Sequence, residues 1–173
     1  MEKTRESKAG LTIERVETVG LISGEGQEGD VYRVNVFLGG GRVYQMAEKR
    51  FRPKTSDSVF DQWKDPVKQV EMMDEIRRLN TERDLGLRLP EAFMLWRPKG
   101  ATPRILMSEL DTIPYSELKG VGRQEFNDDA RRQSEVLSGN GFLANIDAFI
   151  PCRGENNRAI AVLCDLGMVV KKR

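Results

Sequence analysis

Three stretches of this chain carry side chains whose types and spacing suit phosphate chemistry. The first is Gly24-Glu25-Gly26-Gln27-Glu28-Gly29-Asp30-Val31. Glycines at this spacing let the backbone come close to phosphate oxygens and turn its amides toward them. A dinucleotide fold would require a helix directly after these glycines. A β-branched, strand-like run starts instead at Val31, so that fold is disfavoured. The second stretch is Ala47-Glu48-Lys49. On a strand, alternation puts Ala47 and Lys49 on one face, the small residue leaving room for a flat ring and the lysine reaching phosphate. The plainer alternative is a solvated edge lysine. The third is Glu75, which helical geometry sets at the margin of an apolar stripe, where it can turn inward toward Lys49. An ordinary surface carboxylate is the alternative there.

The chain has no histidine, which removes Ser-His-Asp triads, HExxH metal sites and imidazole acid–base schemes. Carboxylates, lysine, backbone dipoles and a bound metal remain as the means of chemistry.

The elements that must position these groups are legible from periodicity. Residues 11–23 read as strand. Residues 31–38 and 43–51 alternate around Gly39-Gly40-Gly41 and predict a hairpin over 31–51. A helix is expected over 66–84, with Asp65 as N-cap and Pro66 at its first position, ending near Gly86. Its core stripe is expected to be Met72, Ile76 and Leu79. Short strands come next at 92–97 and 104–110. A second helix is expected over 124–138, with Phe126, Ala130, Gln133 and Leu137 on one face and Gly139 as its stop. Residues 142–151 and 158–166 read as loops and short strands. This order predicts an α+β fold, its first three strands and the 104–110 strand forming one antiparallel sheet with the first helix against it.

Composition sets outer bounds. The chain has 173 residues with 28 basic and 27 acidic side chains, a net charge of +1, so no global basic field calls for nucleic acid. No apolar run approaches the roughly 20 residues that cross a bilayer. Residues 1–10 form a polar leader without the hydrophobic stretch of a secretion signal. Cys152 and Cys164 make neither a disulfide framework nor a zinc site, and a cytoplasmic location is expected.

Taken in order, these residues resemble the protein-kinase superfamily. Glu75-Ile76-Arg77-Arg78-Leu79 resembles the family's glutamate-bearing helix, and Ile105 to Leu110 the strand entering the hinge. Asp165-Leu166-Gly167 is similar to D-F-G. Gly141 to Asp147 is similar to the stretch ending in the catalytic-loop H-R-D, and Asp165 lies 18 residues beyond Asp147 (165 minus 147). The resemblance implies an antiparallel β N-lobe with a glutamate-bearing helix over 11–110 and a minimal, truncated C-lobe over 111–173. It implies ATP and Mg2+ as cofactors. Gly24, Gly26, Gly29, Val31, Ala47, Lys49 and Glu109 would line the nucleotide, Glu75 would orient Lys49, Asp165 would hold the metal and Asp147 would be the catalytic base.

The departures are specific. Asn145 and Ile146 stand in place of the family's His and Arg, and Cys152 stands where the metal-binding asparagine is expected. A second register gives that role to Asn145 but puts Asn140 in place of the catalytic aspartate; the first keeps the carboxylate. Restoring asparagine at 152 is expected to raise phosphoryl transfer. Eight residues lie beyond Asp165 (173 minus 165), so the activation segment and the helices of a large lobe are not in this sequence. The resemblance therefore implies two functions: transfer of the γ-phosphoryl of Mg-ATP to a protein or small-molecule hydroxyl, or an impaired, pseudokinase-type module. In the second, a partner protein would complete the large lobe.

Overall fold

The computed structural model describes residues 12–23, 29–52 and 65–172. Alternation in the first half produces three strands in a meander, β1 (Ile13–Ser23), β2 (Gly29–Leu38) and β3 (Arg42–Phe51). β2 and β3 pair from Gly29↔Phe51 to Leu38↔Arg42, and the chain reverses through Gly40 and Gly41 at φ 86° and 79°, a region glycine enters without steric cost. After helix α1 (Pro66–Arg83) come β4 (Phe93–Trp96) and β5 (Arg104–Ser108). All five strands form one antiparallel sheet in the order β1-β2-β3-β5-β4. Gly29 opens a strand rather than a helix, as expected.

Both faces of this sheet carry apolar residues, as a sheet covered on both sides requires. Ala47, Ile105, Met107 and Phe93 join the main core with α1, while Val34, Val36, Met46 and Leu106 form a smaller cluster on the opposite side. Helix α1 starts as expected, Asp65 accepting hydrogen bonds from the amides of Val67 (2.9 Å) and Lys68 (3.4 Å), with Pro66 at its first turn. It ends on Asp84, left-handed at φ 48°. Its buried residues are Gln69, Met73 and Ile76; of the expected stripe Ile76 is buried, while Met72 and Leu79 are only partly covered. The two stripes share Ile76 and are offset by three residues, about 60° of helical rotation, and adjacent methionines offer no pattern to choose between them.

Helix α2 (Gly120–Gly139) begins four residues earlier than periodicity suggests, because Gly120 and Gly122, weak helix formers, mask its first turn. Its buried residues are the expected Phe126, Ala130, Gln133 and Leu137. The last segment is built from two ribbons. β6 (Phe142–Ala144) pairs with β9 (Val169–Lys171), and β7 (Phe149–Arg153) pairs with β8 (Ala159–Leu163). Asp129 and Gln133 of α2 clamp β8 to the α1–β4 connection. Asp129 accepts from the Ala161 amide (2.8 Å) and from Arg88, while Gln133 donates to the Ala161 carbonyl (2.7 Å) and accepts from the Arg88 amide (2.8 Å). Among the described residues no helix is long and apolar enough to cross a membrane.

Candidate functional site

Lys49 projects from β3, opposite Val31 on β2 and Ile105 on β5, and is 7 % exposed. Its Nζ lies 3.2 Å from Asp165 Oδ1 and 5.2 Å from the centre of the Phe51 ring. Ala47 is buried on the same face, as the alternation predicts.

Asp165 is held from several sides. Its carboxylate caps the turn Leu166–Met168 by accepting from the Gly167 amide (3.2 Å), while its own amide donates to the Ala148 carbonyl (3.0 Å). The Cys164 amide donates to the same carbonyl (3.0 Å). Asp147 directly precedes Ala148 in the turn Ile146–Ala148, so backbone hydrogen bonds bring the two aspartates' segments together. Asn145 adds a second tie: its amide donates to the Met168 carbonyl (3.1 Å), and its side chain accepts from the Asp147 amide (3.4 Å). The Asp147 side chain stays exposed. Nearby, Tyr115 donates its hydroxyl to the Phe149 carbonyl (3.0 Å); burial first, and the Asp147 charge second, raise its phenol pKa.

Other expected residues stand differently. Glu75 pairs with Lys171 of β9 at 2.7 Å, whereas the ion pair of Lys49 among the described residues is with Asp165. The expected Glu75–Lys49 pair is not formed among the described residues: Lys171 holds the Glu75 carboxylate at the helix margin, and the DLG turn brings Asp165 to the lysine. Gly24 and Gly26 lie outside the described residues. Gly29 is described, and a side chain there would collide with the backbone, its Cβ only 2.1 Å from the Arg50 carbonyl oxygen. Close packing against β3 is reason enough for that glycine. Glu109 lies just past β5 and accepts from Arg33 Nε (2.8 Å) and Nη2. Cys152 sits inside β7 opposite Ile160, clustered with Val162 and Cys164. Burial, then the Asp111 charge, pushes its thiol pKa up to about 12, and burial raises that of Cys164 as well.

Sequence reasoning missed Glu48. It is fully buried on the face opposite Lys49 and bonded by Arg50 Nε and by Arg104 Nη1 (3.1 Å). Alternation places Glu48 away from Lys49, yet no local signal reveals that this second face is covered.

The chemistry of the donors limits what metal could sit here. Among the described residues no three Cys, Asp or Glu side chains form a metal cage. Asp165 offers a partly exposed carboxylate beside Lys49, Cys152 is a buried neutral thiol, and Asn145 is engaged with its own turn. Magnesium binds through one or two carboxylates when phosphate oxygens complete its shell, so Asp165 fits that role only alongside a phosphorylated ligand. A surface hollow of about 940 Å3 lies elsewhere, between α2 and the β7–β8 hairpin, and its lining charges include the Arg88–Asp129 and Arg158–Glu125 ion pairs. No protein-family model and no curated protein matches this chain.

Proposed function

We propose that this chain is a kinase-like nucleotide-binding protein that holds Mg-ATP between the five-stranded sheet and the DLG turn. The observation that carries the reading is the Lys49–Asp165 pair. A cation that can meet phosphate and a carboxylate that can meet magnesium stand side by side, and the sheet face that carries the lysine also carries a small buried residue, Ala47, suited to lie over a ring. In this reading Lys49 holds the phosphates, with Gly24, Gly26, Gly29 and Val31 lining them, and Asp165 holds the metal. Bound Mg2+ would neutralise charge on the transferring phosphoryl group. Asp147, exposed and tied by its neighbour to Asp165, is the group to accept a proton from a hydroxyl acceptor. Free thiols at Cys152 and Cys164 support a reducing, cytoplasmic setting.

A second reading, an impaired binding module, is favoured by one observation. Only Ala148 separates Asp147 from β7, and Cys152 is already inside that strand. Little loop remains there to carry a second metal ligand. The exposed apolar pair Leu143 and Val170 on the β6–β9 ribbon supports a partner protein that completes this part of the fold.

The experiment is thermal unfolding with and without Mg-ATP, for the wild type, Lys49→Ala and Asp165→Ala. Ligand at 100 times its Kd stabilises the native state by about 2.7 kcal/mol. For a chain of this size that is a rise in Tm of roughly 5–10 °C. The rise is expected in the wild type and absent in both variants. An unchanged wild-type Tm at millimolar Mg-ATP would reject nucleotide binding.

A further inference from the structure

The cleft-side face of the sheet carries a second charge pair that phosphate binding does not use. Arg33 of β2 lies opposite Ala47, and Ala47 lies opposite Met107 of β5. Glu109 comes two residues after Met107, on the side-chain parity of Met107 and Ile105. Arg33 Nε and Nη2 both donate to Glu109 Oε1. Because β3 runs between β2 and β5, this pair spans β3 on the face that carries Ala47 and Lys49.

The Glu109 carboxylate is only half used. Its Oε2 is buried and has no hydrogen-bond partner among the described residues. A buried carboxylate oxygen without a donor is costly and calls for a partner, such as a bound water, an ion or a ligand's N–H. An ionised carboxylate can only accept, and its two oxygens side by side match two adjacent N–H donors. The Arg33 guanidinium, planar and on the same face, is a surface on which an aromatic ring can stack.

Among nucleotide bases, guanine presents such an edge, N1–H beside N2–H2. Adenine presents one donor, N6–H2, beside N1, whose lone pair would oppose a carboxylate oxygen. Resting on the proposed nucleotide binding, we infer that Glu109 reads the base and that the cleft holds guanine nucleotides at least as tightly as ATP.

The test is calorimetric titration of Mg-GTP and Mg-ATP into the wild type, Glu109→Gln and Arg33→Gln, each variant first checked for an unchanged far-ultraviolet spectrum. The wild type is expected to bind Mg-GTP no more weakly than Mg-ATP. Glutamine at 109 offers one acceptor and one donor, which suits adenine, so this variant should lose about tenfold in Mg-GTP affinity and hold Mg-ATP unchanged or tighter. Arg33→Gln keeps the carboxylate and should keep the preference for GTP. Binding of ATP with GTP at least tenfold weaker in the wild type overturns the inference, as does an equal loss of both nucleotides in Glu109→Gln. A loss of GTP in Arg33→Gln as large as in Glu109→Gln also overturns it, because the ion pair rather than a base contact would then be responsible. Should Glu109→Gln fail to fold, the wild-type ratio and Arg33→Gln still decide. Failure of both nucleotides to bind the wild type rejects the nucleotide reading itself, a result distinct from ATP binding without GTP.

Discussion

Lys49 Nζ stands 3.2 Å from Asp165 Oδ1, although 116 residues separate them along the chain. The lysine belongs to the middle of a five-stranded sheet, the aspartate to a turn that closes on the catalytic-loop-like segment. One contact thus links the two halves of the proposed cleft. Lys49 is almost fully buried and Asp165 is about a third exposed, so water screens part of the attraction. A double-mutant cycle with Lys49→Met and Asp165→Asn should give a coupling energy of about 1 kcal/mol in urea unfolding. A coupling indistinguishable from zero would mean the pair is incidental to the fold.

A second cluster makes stability depend on pH. Burial alone would raise the pKa of the Asp129 carboxyl, but hydrogen bonds from the Ala161 amide, Arg132 and Arg88 outweigh it and hold that pKa below its usual value. A carboxylate depressed in the native state contributes stability that is fully present above its unfolded pKa of about 3.9. That contribution is lost as pH falls from about 5 toward the native value. Asp129→Asn should therefore lower Tm at pH 7 and flatten the acid limb of a plot of Tm against pH. Parallel limbs for variant and wild type would show that other carboxylates dominate acid unfolding.

The strands were readable because β-branched and aromatic residues recur on either side of the Gly39-Gly40-Gly41 turn, and α1 because Asp65-Pro66 is an unambiguous start. Where reading failed, the deciding interaction was between segments distant in the chain. Glu75 has the right helical phase to reach inward, yet its partner, Lys171, lies 96 residues away on β9. The burial of Glu48 likewise depends on Arg104, from another strand. Cys152 matched a position by counting, but counting assumes a loop, and β7 begins two residues after Asp147.

The Glu75–Lys171 pair offers a test of the proposed nucleotide site. Both side chains are partly exposed, so Lys171→Met should cost no more than about 1 kcal/mol of stability. If nucleotide draws Glu75 toward Lys49, releasing Glu75 from Lys171 removes a competing interaction, and Mg-ATP should bind a few-fold tighter. Glu75→Gln in the same background should then cancel the gain. Titration calorimetry on the two variants reads this directly, and equal affinities would assign the pair to tethering β9 alone.

The setting of Cys152 reverses one expectation. Asparagine at 152 would lie inside β7 among Val162, Cys164 and Ile160 rather than in a loop facing a metal. Burying an amide without partners costs roughly 1–3 kcal/mol, so Cys152→Asn should melt several degrees lower and gain no activity. The raised thiol pKa values imply, further, that neither cysteine reacts with iodoacetamide at pH 8 in the native protein while both react in urea. Rapid native labelling would contradict the burial, and a gain in transfer by Cys152→Asn would return the position to the metal site.

Asp147 separates the two proposed functions most sharply. Its side chain is exposed, while its backbone lies in the turn that anchors Asp165 through Ala148. Asp147→Asn keeps the shape, so its Tm should match the wild type within about 0.5 kcal/mol of stability, the usual bound for surface changes. Nucleotide affinity should hold too, because binding draws on Lys49, Asp165 and the sheet face rather than on this carboxylate. Transfer is different. A proton-accepting group acts mainly in the transition state, and its loss lowers turnover far more than affinity, typically by two to four orders of magnitude for general-base catalysis. Turnover in the unmodified chain should already be slow, because the proposed reading assigns the metal one carboxylate, Asp165. Radiolabelled ATP hydrolysis and transfer to generic hydroxyl acceptors, measured in wild type and Asp147→Asn, should show low rates in the first and none in the second. Low wild-type rates that Asp147→Asn leaves unchanged, with Mg-ATP still bound, would remove Asp147 from catalysis and favour the binding module.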